Sequence, residues 1–443
     1  MAMTDPSGDD GGTTPPDLAT PVDMALPPAE GKPLWGRSYG ANIGDVAAAA
    51  DGSIFVAGTF SRADLGDGMV TSKGSSDGFL IKFDKVGQRL WTRTFGRNYA
   101  DVPTRLAVDA AGNVAVVGYS LRADGTGTHD AFVTYYDPAG SQKYFTTYGG
   151  PLATAVDVAT AVAFGQDGSL YVTGGFEDRI NFGGGDLVSA GDRDLYLLKL
   201  NAAGAHVFSK RWGFTSYDQT HALAVFPDGD VLFVGTGGYP IDFGDGKVGE
   251  DPDANAFVVR LSPQGAARFA KRYRIALSST LATATAPDGT FWLGGDTSRP
   301  LDLGGGARTS PTGRALFAGH LSATGEHIAS YLMPTSGSAY ATTMAVDATG
   351  QIILGGAGDS DIDFGLGTTK ADAGYCFFFK LAPGGPLRWA RRFGGTAALY
   401  SNRVQGVAVT PTGQVLAAGD VSQNVTVGSV SLSPWGFLLT VSP

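Results

Sequence analysis

The chain has 443 residues, of which 43% are hydrophobic, and a formal net charge of −10 at pH 7. It has no basic stripe, which argues against nucleic acid and anionic membrane surfaces as partners. The single cysteine, Cys376, excludes an intramolecular disulfide and a cysteine metal cluster, and no apolar run approaches the roughly 18 residues of a membrane span.

Residues 1–32 are rich in Pro, Gly, Asp and Thr and carry few large apolar side chains. Such a segment buries too little apolar surface to offset its ordering entropy, so we predict a disordered tail over 1–32. Its run T-P-P-D-L-A-T-P-V-D-M-A-L-P-P resembles the linkers that follow the lipidated cysteine of bacterial surface lipoproteins. That resemblance implies an extracellular or outer-surface protein, lipid-anchored or secreted, whose signal has been removed.

One eight-residue stretch, D-G-S-I-F-V-A-G at Asp51–Gly58, recurs through the rest of the chain. Its copies are Ala111–Gly118, Asp167–Gly174, Asp228–Gly235, Asp288–Gly295, Thr349–Gly356 and Thr412–Gly419. The glycine at the second position recurs at intervals of 56 to 63 residues. A period of this size accommodates four short strands and their turns, so each copy predicts one four-stranded unit.

The second copy illustrates the predicted unit. We expect strands A to D at Thr104–Val108, Val114–Tyr119, Ala131–Tyr136 and Tyr144–Tyr148, with short Asp/Gly turns between A and B and between C and D. An aromatic residue stands eight positions before the C–D glycine in each of six copies, at Phe79, Phe132, Tyr196, Phe257, Phe317 and Phe377. This register predicts a core position on strand C.

The seventh copy is split between the two ends of the chain. Its last strand is predicted at Gly436–Val441, and Gly31, Trp35 and Gly40 supply the missing end of the pattern. The sequence therefore predicts an all-β, seven-bladed β-propeller over 33–443 with four-stranded antiparallel blades. The N-terminal strand completes the last blade in a three-plus-one closure, which buries two sheet edges. We expect a monomer.

The A-V-D-A-A-G-N-V-A-V-V-G pattern of residues 107–118 and its sister copies resemble the bacterial seven-bladed β-propeller repeat (SBBP) family. The resemblance covers 33–443. It implies the propeller fold and a surface location, but little chemistry, because activities in that family are mostly unassigned.

By analogy with other propellers, ligands are expected on the face that carries the D–A and B–C loops. Eleven residues before the repeat glycine stand Asp101, Asp157, Asp218 and Asn402, which we predict near the channel mouth as ligand-binding residues. The alternative is that each caps backbone N–H groups of its own loop. His221, three residues after Asp218, is predicted to form a His–Asp pair there, against the alternative of an ordinary loop histidine.

The B–C loops carry a second motif, in which Asp or Asn is followed by an apolar residue and glycine. We interpret it as an Asx turn whose apolar residue pins the loop to its blade. In one copy Asp359, Asp361 and Asp363 have the alternating oxygens of a calcium loop. Gly365 stands one place late and Lys370 replaces the closing glutamate, which argues against calcium. No other cofactor is expected.

These patterns favour a non-catalytic surface module that binds a glycan or a surface protein through the long-loop face. One alternative is an extracellular enzyme acting on polysaccharide, with channel-mouth aspartates and His221 as acid and base. Such a glycosidase needs two carboxyl groups about 5–9.5 Å apart in a cleft. The other alternative is a structural spacer without a small ligand.

Overall fold

The computed structural model describes residues 30–122, 128–152, 154–238, 240–244, 246, 251, 253–276, 280–364, 368–369, 374–394 and 402–443. These residues form β-strands joined by turns and loops. Within them no helix is long and apolar enough to span a membrane. Short apolar strands alternate with Asp/Gly turns throughout, as the repeat predicts.

In the described part of the chain the strands form seven sheets of four antiparallel strands each and four additional two-stranded hairpins. β1 (Pro33–Tyr39) comes first in the chain. Blade one contains β2 (Asn42–Ala48), β3 (Ile54–Phe60), the hairpin β4 (Arg62–Asp64) and β5 (Met69–Thr71), β6 (Asp77–Phe83) and β7 (Arg89–Phe95). Blade two contains β8 (Asp101–Val108), β9 (Val114–Leu121), β10 (His129–Tyr136) and β11 (Gln142–Tyr148).

Blade three contains β12 (Val158–Phe164), β13 (Leu170–Phe176), the hairpin β14 (Arg179–Asn181) and β15 (Asp186–Val188), β16 (Asp194–Leu200) and β17 (His206–Trp212). Blade four contains β18 (Gln219–Val225), β19 (Val231–Thr236), β20 (Ala256–Leu261) and β21 (Ala267–Tyr273). Blade five contains β22 (Ala282–Thr285), β23 (Phe291–Thr297), β24 (Ala315–Leu321) and β25 (His327–Pro334).

Blade six contains β26 (Ala339–Val346), β27 (Ile352–Gly358), the hairpin β28 (Ile362–Asp363) and β29 (Thr368–Thr369), β30 (Tyr375–Leu381) and β31 (Leu387–Gly394). Blade seven contains β32 (Arg403–Val409), β33 (Val415–Val421), the hairpin β34 (Val425–Val427) and β35 (Val430–Leu432), and β36 (Trp435–Val441).

The N-terminal strand completes the last blade. β1 pairs antiparallel with β36, from Trp35 opposite Thr440 to Tyr39 opposite Gly436, and the sheet order is β1-β36-β33-β32. The innermost strands contact one another in sequence around the ring, and β32 contacts β2 to close it. The predicted seven-bladed propeller with three-plus-one closure is therefore confirmed.

The last glycine of each repeat is explained by the aromatic residue opposite it. Gly58 pairs with Phe79, and a Cβ at Gly58 would lie 2.7 Å from Cζ of that ring and too close to the carbonyl oxygen of Asn42. The same pairing occurs in every blade, at Gly118–Phe132, Gly174–Tyr196, Gly235–Phe257, Gly295–Phe317, Gly356–Phe377 and Gly419–Phe437. In blades one to six the glycine leaves room for that ring, whereas a Cβ at Gly419 would meet backbone atoms of Arg403 and Gln405.

Bulges in the innermost strands link neighbouring blades. Blades one to four, six and seven each have a register shift in strand A, which leaves an extra residue facing the next blade. Thr104 Oγ1 donates to the Ala159 carbonyl at 2.7 Å, and the hydroxyls of Thr160 and Thr220 lie 2.9 Å apart. These bonds join blade two to three and blade three to four near the ring axis.

Three residues assigned above to the tail contact the propeller. Arg388 Nη2 donates to Glu30 Oε1 at 2.6 Å, and Arg391 Nε donates to the Gly31 carbonyl at 2.8 Å. Lys32 N donates to Ser442 Oγ at 2.9 Å. The folded part of the chain thus begins by Glu30, and residues 1–29 of the predicted tail lie outside the described residues.

Candidate functional site

The B–C motif is the Asx turn that the sequence predicts. Asp64 Oδ1 accepts a hydrogen bond from Gly66 N at 2.7 Å, and the intervening Leu65 is buried. Asn181, Asp242 and Asp302 accept from Gly183, Gly244 and Gly304 in the same way, at 2.8 Å each. The motif shapes the loop face and pins each hairpin to its blade.

The side chains of Asp101, Asp157, Asp218 and Asn402 are fully buried. Asp101 Oδ2 accepts from Arg97 N at 2.6 Å, and Asp218 Oδ2 accepts from Phe214 N at 2.9 Å, so each caps its own D–A loop. The second carboxylate oxygen of Asp101 accepts from the Ser120 hydroxyl on strand B, and that of Asp218 accepts from Gly238 N, after strand B, at 2.6 Å. These contacts match the alternative given in the sequence analysis, in which each side chain caps backbone N–H groups of its own loop.

The same four residues hold blades two, three, four and seven to the blade that precedes each of them. The backbone N–H groups of Asp101, Asp157 and Asp218 each donate at 2.9 Å to a carbonyl at the start of the preceding strand C. Asn402 makes this link through its side chain, donating from Nδ2 to the Gly374 carbonyl at 2.8 Å. Because the side chains are buried, the ligand-binding role stays a prediction, and the cavity described below is built from other residues.

Burial leaves Asp157 with an unusual titration. Removal from solvent raises its pKa to about 7, opposed by the N–H groups of Gly150 and Glu177. Between the unfolded value near 3.8 and about 7 the folded state binds more protons than the unfolded state, so stability from this group falls as pH rises. We expect Asp157→Asn to gain stability relative to the parent as pH increases from about 4 to about 8, measured as the difference in unfolding temperature.

His221 provides the contrasting case, and its predicted pairing with Asp218 is wrong. The bulge between Thr220 and Ala222 adds a residue to strand A and turns the ring toward blade five, where Nδ1 accepts from Leu281 N at 2.9 Å. Burial lowers the pKa of His221 to about 4. Between about pH 4 and 6.5 the unfolded state binds more protons than the folded state, so the parent loses stability as pH falls. His221→Gln lacks this titration and should therefore gain stability relative to the parent as pH falls. Slopes of the same sign for the two variants would contradict these assignments.

The calcium loop is only partly described. Gly365 and Lys370 lie outside the described residues, whereas Asp359 Oδ1 accepts from Ser338 N at 3.2 Å. Across the described ranges no three His, Cys, Asp or Glu side chains are grouped so that they could hold a metal ion. We expect the same unfolding temperature in excess chelator and in millimolar calcium; a higher temperature with calcium would show that the folded protein binds the ion.

A cavity of about 1180 Å³ opens on the D–A and B–C loop face between blades seven, one and two. Its walls come from the starts of β2, β8 and β32 and from the B–C loops of blades one and seven. Hydroxyl and amide side chains line much of it, at Asn42, Thr59, Ser61, Ser75, Ser76, Thr104, Gln405 and Ser422. The hydroxyl groups of Ser61, Thr104 and Ser422 already donate within the fold, so these three offer a ligand acceptor oxygens rather than donors.

Among the lining residues that the structure describes, the charged ones are three arginines and one carboxylate: Arg62, Arg105, Arg403 and Asp420. Arg105 reaches across the channel from blade two, and its Nη2 donates to the Thr342 carbonyl of blade six at 3.3 Å. Asp420 Oδ1 accepts from Ile43 N at 3.1 Å. The carboxylate is thus committed to a contact between blades seven and one.

Trp435 is the residue of this cavity that departs most from the repeat. It stands two positions before Phe437, where four of the six other blades carry a buried side chain, Asp77, Asp194, Ala315 or Tyr375, and the other two carry the half-buried Asp130 and Asn255. Trp435 is instead 61% exposed and has a φ of 81°, a left-handed conformation that is rare for a bulky side chain. Such a conformation costs about 1–3 kcal/mol and concentrates at functional sites.

Comparison with known proteins supports the fold and does not identify a family. No protein-family model matches the chain. It is 31% identical over 206 residues to regulatory protein FlaEY of Caulobacter vibrioides, a match that covers 42% of this chain and 21% of that protein. The chain thus spans about a fifth of the length of this relative, and membership in the SBBP family stays a prediction.

Two solved structures share the architecture at low identity. The structure of U3-55K has a TM-score of 0.53 and 12% identity, covering 92% of this chain and 97% of that one. The WD40 repeats of RRP9 have a TM-score of 0.52 and 12% identity, covering 95% and 99%. At this identity the likeness shows the propeller fold alone.

Proposed function

We propose that the protein is a non-catalytic binding module, displayed as a monomer on the outside of a bacterial cell, that holds a glycan in the cavity between blades seven, one and two. The location rests on the lipoprotein-like composition of the N-terminal segment. The binding role rests on the cavity, which lies on the face where propellers usually take their ligands.

The observation that carries the proposal is the backbone of Trp435. A buried residue at this register would serve the blade without strain, yet blade seven keeps an exposed indole in a left-handed conformation at the cavity rim. An exposed aromatic ring beside hydroxyl and amide groups is suited to a sugar, whose apolar ring face stacks while its hydroxyls form hydrogen bonds. A structural spacer would gain nothing from this arrangement.

The geometry gives less support to the enzyme hypothesis. Among the described residues that line the cavity, Asp420 is the sole carboxylate, and it already accepts the N–H of Ile43. A two-carboxylate glycosidase needs a second acid across the cleft. The aspartates considered for that role in the sequence analysis are buried in the loop caps.

The test is a glycan array probed with the full chain, followed by calorimetric titration of the best binder. We expect Trp435→Asn to weaken binding at least about tenfold, because an exposed aromatic anchor is removed. Asn tolerates the left-handed backbone, so the unfolding temperature should stay level or rise. Loss of stability together with loss of binding would point to a folding role instead.

Phe214→Asn is the matched control, since it removes an aromatic ring that is 40% exposed on the D–A loop entering blade four. It should leave the affinity unchanged. An array without any glycan ligand, or equal affinities for the parent and Trp435→Asn, would refute glycan binding in this cavity. Capture of a protein segment at the same cavity would show that the module binds protein.

A further inference from the structure

We infer that the glycan is anionic, with carboxylate groups on its sugar rings, and that Arg62, Arg105 and Arg403 bind those carboxylates. This inference rests on the proposed function, because it names the class of ligand for the same cavity. The charge of the described cavity lining is opposite in sign to that of the chain: three arginines and one aspartate leave it at +2, against −10 for the whole protein.

Within the described chain none of the three guanidinium groups forms an ion pair at 4.0 Å or less, although Asp45 and Asp420 lie close enough to Arg105 and Arg403 to interact with their charge. Other arginines form ion pairs there, such as Arg122 with Asp130 at 2.6 Å. Among the described residues, none of the three arginines of the cavity has a carboxylate oxygen within 4.0 Å of its nitrogens. Their charge is available to a ligand.

Nearby carboxylates compensate this charge only in part. Burial raises the pKa of Asp420, and the Arg403 cation opposes the rise. Burial likewise raises the pKa of Asp45, beside Arg105, to about 6, although both of its oxygens accept backbone N–H groups, from Val46 at 2.9 Å and Leu106 at 3.0 Å. The hydrogen-bond acceptors of Arg105 and Arg403 in the described chain are neutral: Arg105 donates to two backbone carbonyls, and Arg403 Nη2 donates to the side-chain oxygen of Gln405 at 2.7 Å.

Arg105 is held by backbone carbonyls of blades two and six. Its guanidinium donates to the carbonyls of Thr104 at 2.8 Å and Thr342 at 3.3 Å, so it is anchored at both sides of the channel. Arg62 lies in the hairpin strand β4 and is exposed, and Arg403 begins β32. A ligand entering past Trp435 would therefore meet positive charge from blades one, two and seven.

The combination of groups selects the class of anion. A planar guanidinium matches a carboxylate in a two-pronged hydrogen bond, and an indole ring matches the apolar face of a pyranose. A uronic acid has both features in one residue. The hydroxyl and amide groups of the lining then suit its remaining hydroxyls better than the apolar side chains of a peptide.

The experiment titrates the full chain with tetrasaccharides of galacturonate, glucuronate-containing hyaluronan and mannuronate, with neutral maltotetraose and cellotetraose, with a heparin tetrasaccharide and with tetraglutamate. We expect at least one uronate to bind at least about tenfold more tightly than both neutral sugars, and to bind more weakly at high salt. Arg62→Gln should weaken uronate binding about tenfold or more, because a charge-assisted hydrogen bond is lost.

Arg62 is preferred to Arg105 as the test position because its exposed side chain has no described hydrogen bond to lose. Arg179→Gln is the control: it makes the same charge change in the hairpin of blade three, where Arg179 pairs with Asp186 at 3.1 Å, and should leave the affinity unchanged. Arg105→Gln serves as a second cavity variant, with the unfolding temperature measured alongside.

Three outcomes would overturn the inference. Equal affinity for uronate and neutral sugars would leave the glycan module standing and remove the anionic ligand. Tighter binding of heparin or tetraglutamate than of every uronate would assign the arginines to sulfate or to an acidic peptide. Equal weakening of uronate binding by Arg62→Gln and Arg179→Gln would mean that the overall charge of the protein, and not a contact with Arg62, determines the affinity. Binding of none of the sugars would count against the proposed function itself.

Discussion

Replacing Phe317 by alanine should lower the free energy of unfolding by about 3–5 kcal/mol. Phe317 is fully buried on β24, opposite Gly295, and packs in one cluster with Leu281 and Leu293. Removing its ring leaves a cavity that the flat strand across from it cannot fill, because Gly295 has no side chain. Urea unfolding of the parent and the variant measures the difference.

Phe214→Ala is the matched control for this substitution, because the same atoms are deleted from a ring that is 40% exposed. Its cost should stay within about 1 kcal/mol. A melting temperature unaffected by Phe317→Ala would mean that the aromatic register on strand C does not form the core of each blade.

A methyl group added at Gly356 should be at least as damaging, with a loss of about 3 kcal/mol or more. Gly356 pairs with Phe377, and a Cβ there would lie 2.8 Å from Cζ of that ring and well inside the contact distance of the Tyr340 carbonyl oxygen. The ring can rotate away, but the carbonyl belongs to β26, whose register is fixed by its ladder with β27. Gly356→Ala therefore strains the backbone of the innermost strand.

Gly40→Ala gives the comparison, because a Cβ at Gly40 would have no heavy atom within 4 Å. That variant should unfold at nearly the same denaturant concentration as the parent. If Gly356→Ala did so too, the repeat glycine would be required for some reason other than the close approach of strands A and B.

The fold could be predicted because the repeat records physical constraints that recur in every blade. The glycine opposite the aromatic residue and the glycine of the A–B turn are each required by local geometry, so they return at intervals of 56 to 63 residues. The closure of the ring could be predicted for the same reason. Trp35 and Gly40 continue the repeat pattern that stops after β36, which indicates that the N-terminal strand completes the seventh blade.

The side-chain directions of the candidate residues could not be predicted. Spacing placed Asp101, Asp157 and Asp218 correctly at the entry of strand A, but whether a side chain points to the channel or into the blade depends on loop geometry that spacing does not encode. For His221, the bulge after Thr220 changes the alternation of faces, and nothing in the sequence marks that bulge.

Trp435 was missed although a signal for it existed. The aromatic register was counted from the C–D glycine of each copy, and the seventh copy has no such glycine after β36. Aligning Phe437 with Phe79 places Trp435 beside Asp77 and shows the departure at once. Arg62, Arg105 and Arg403 had no sequence signal, because they come from three blades that line one cavity only in the closed ring.

The pairing of β1 with β36 also determines when the molecule can be finished during its biosynthesis. Most blades are built from strands that leave the ribosome one after another, so each can assemble as it is made. β1, by contrast, must wait for a partner encoded almost four hundred residues later, which at ordinary translation speed is roughly 20 to 80 s. Until then the arginines and Trp435 of the cavity are not assembled, so the cavity forms only when synthesis has reached β36.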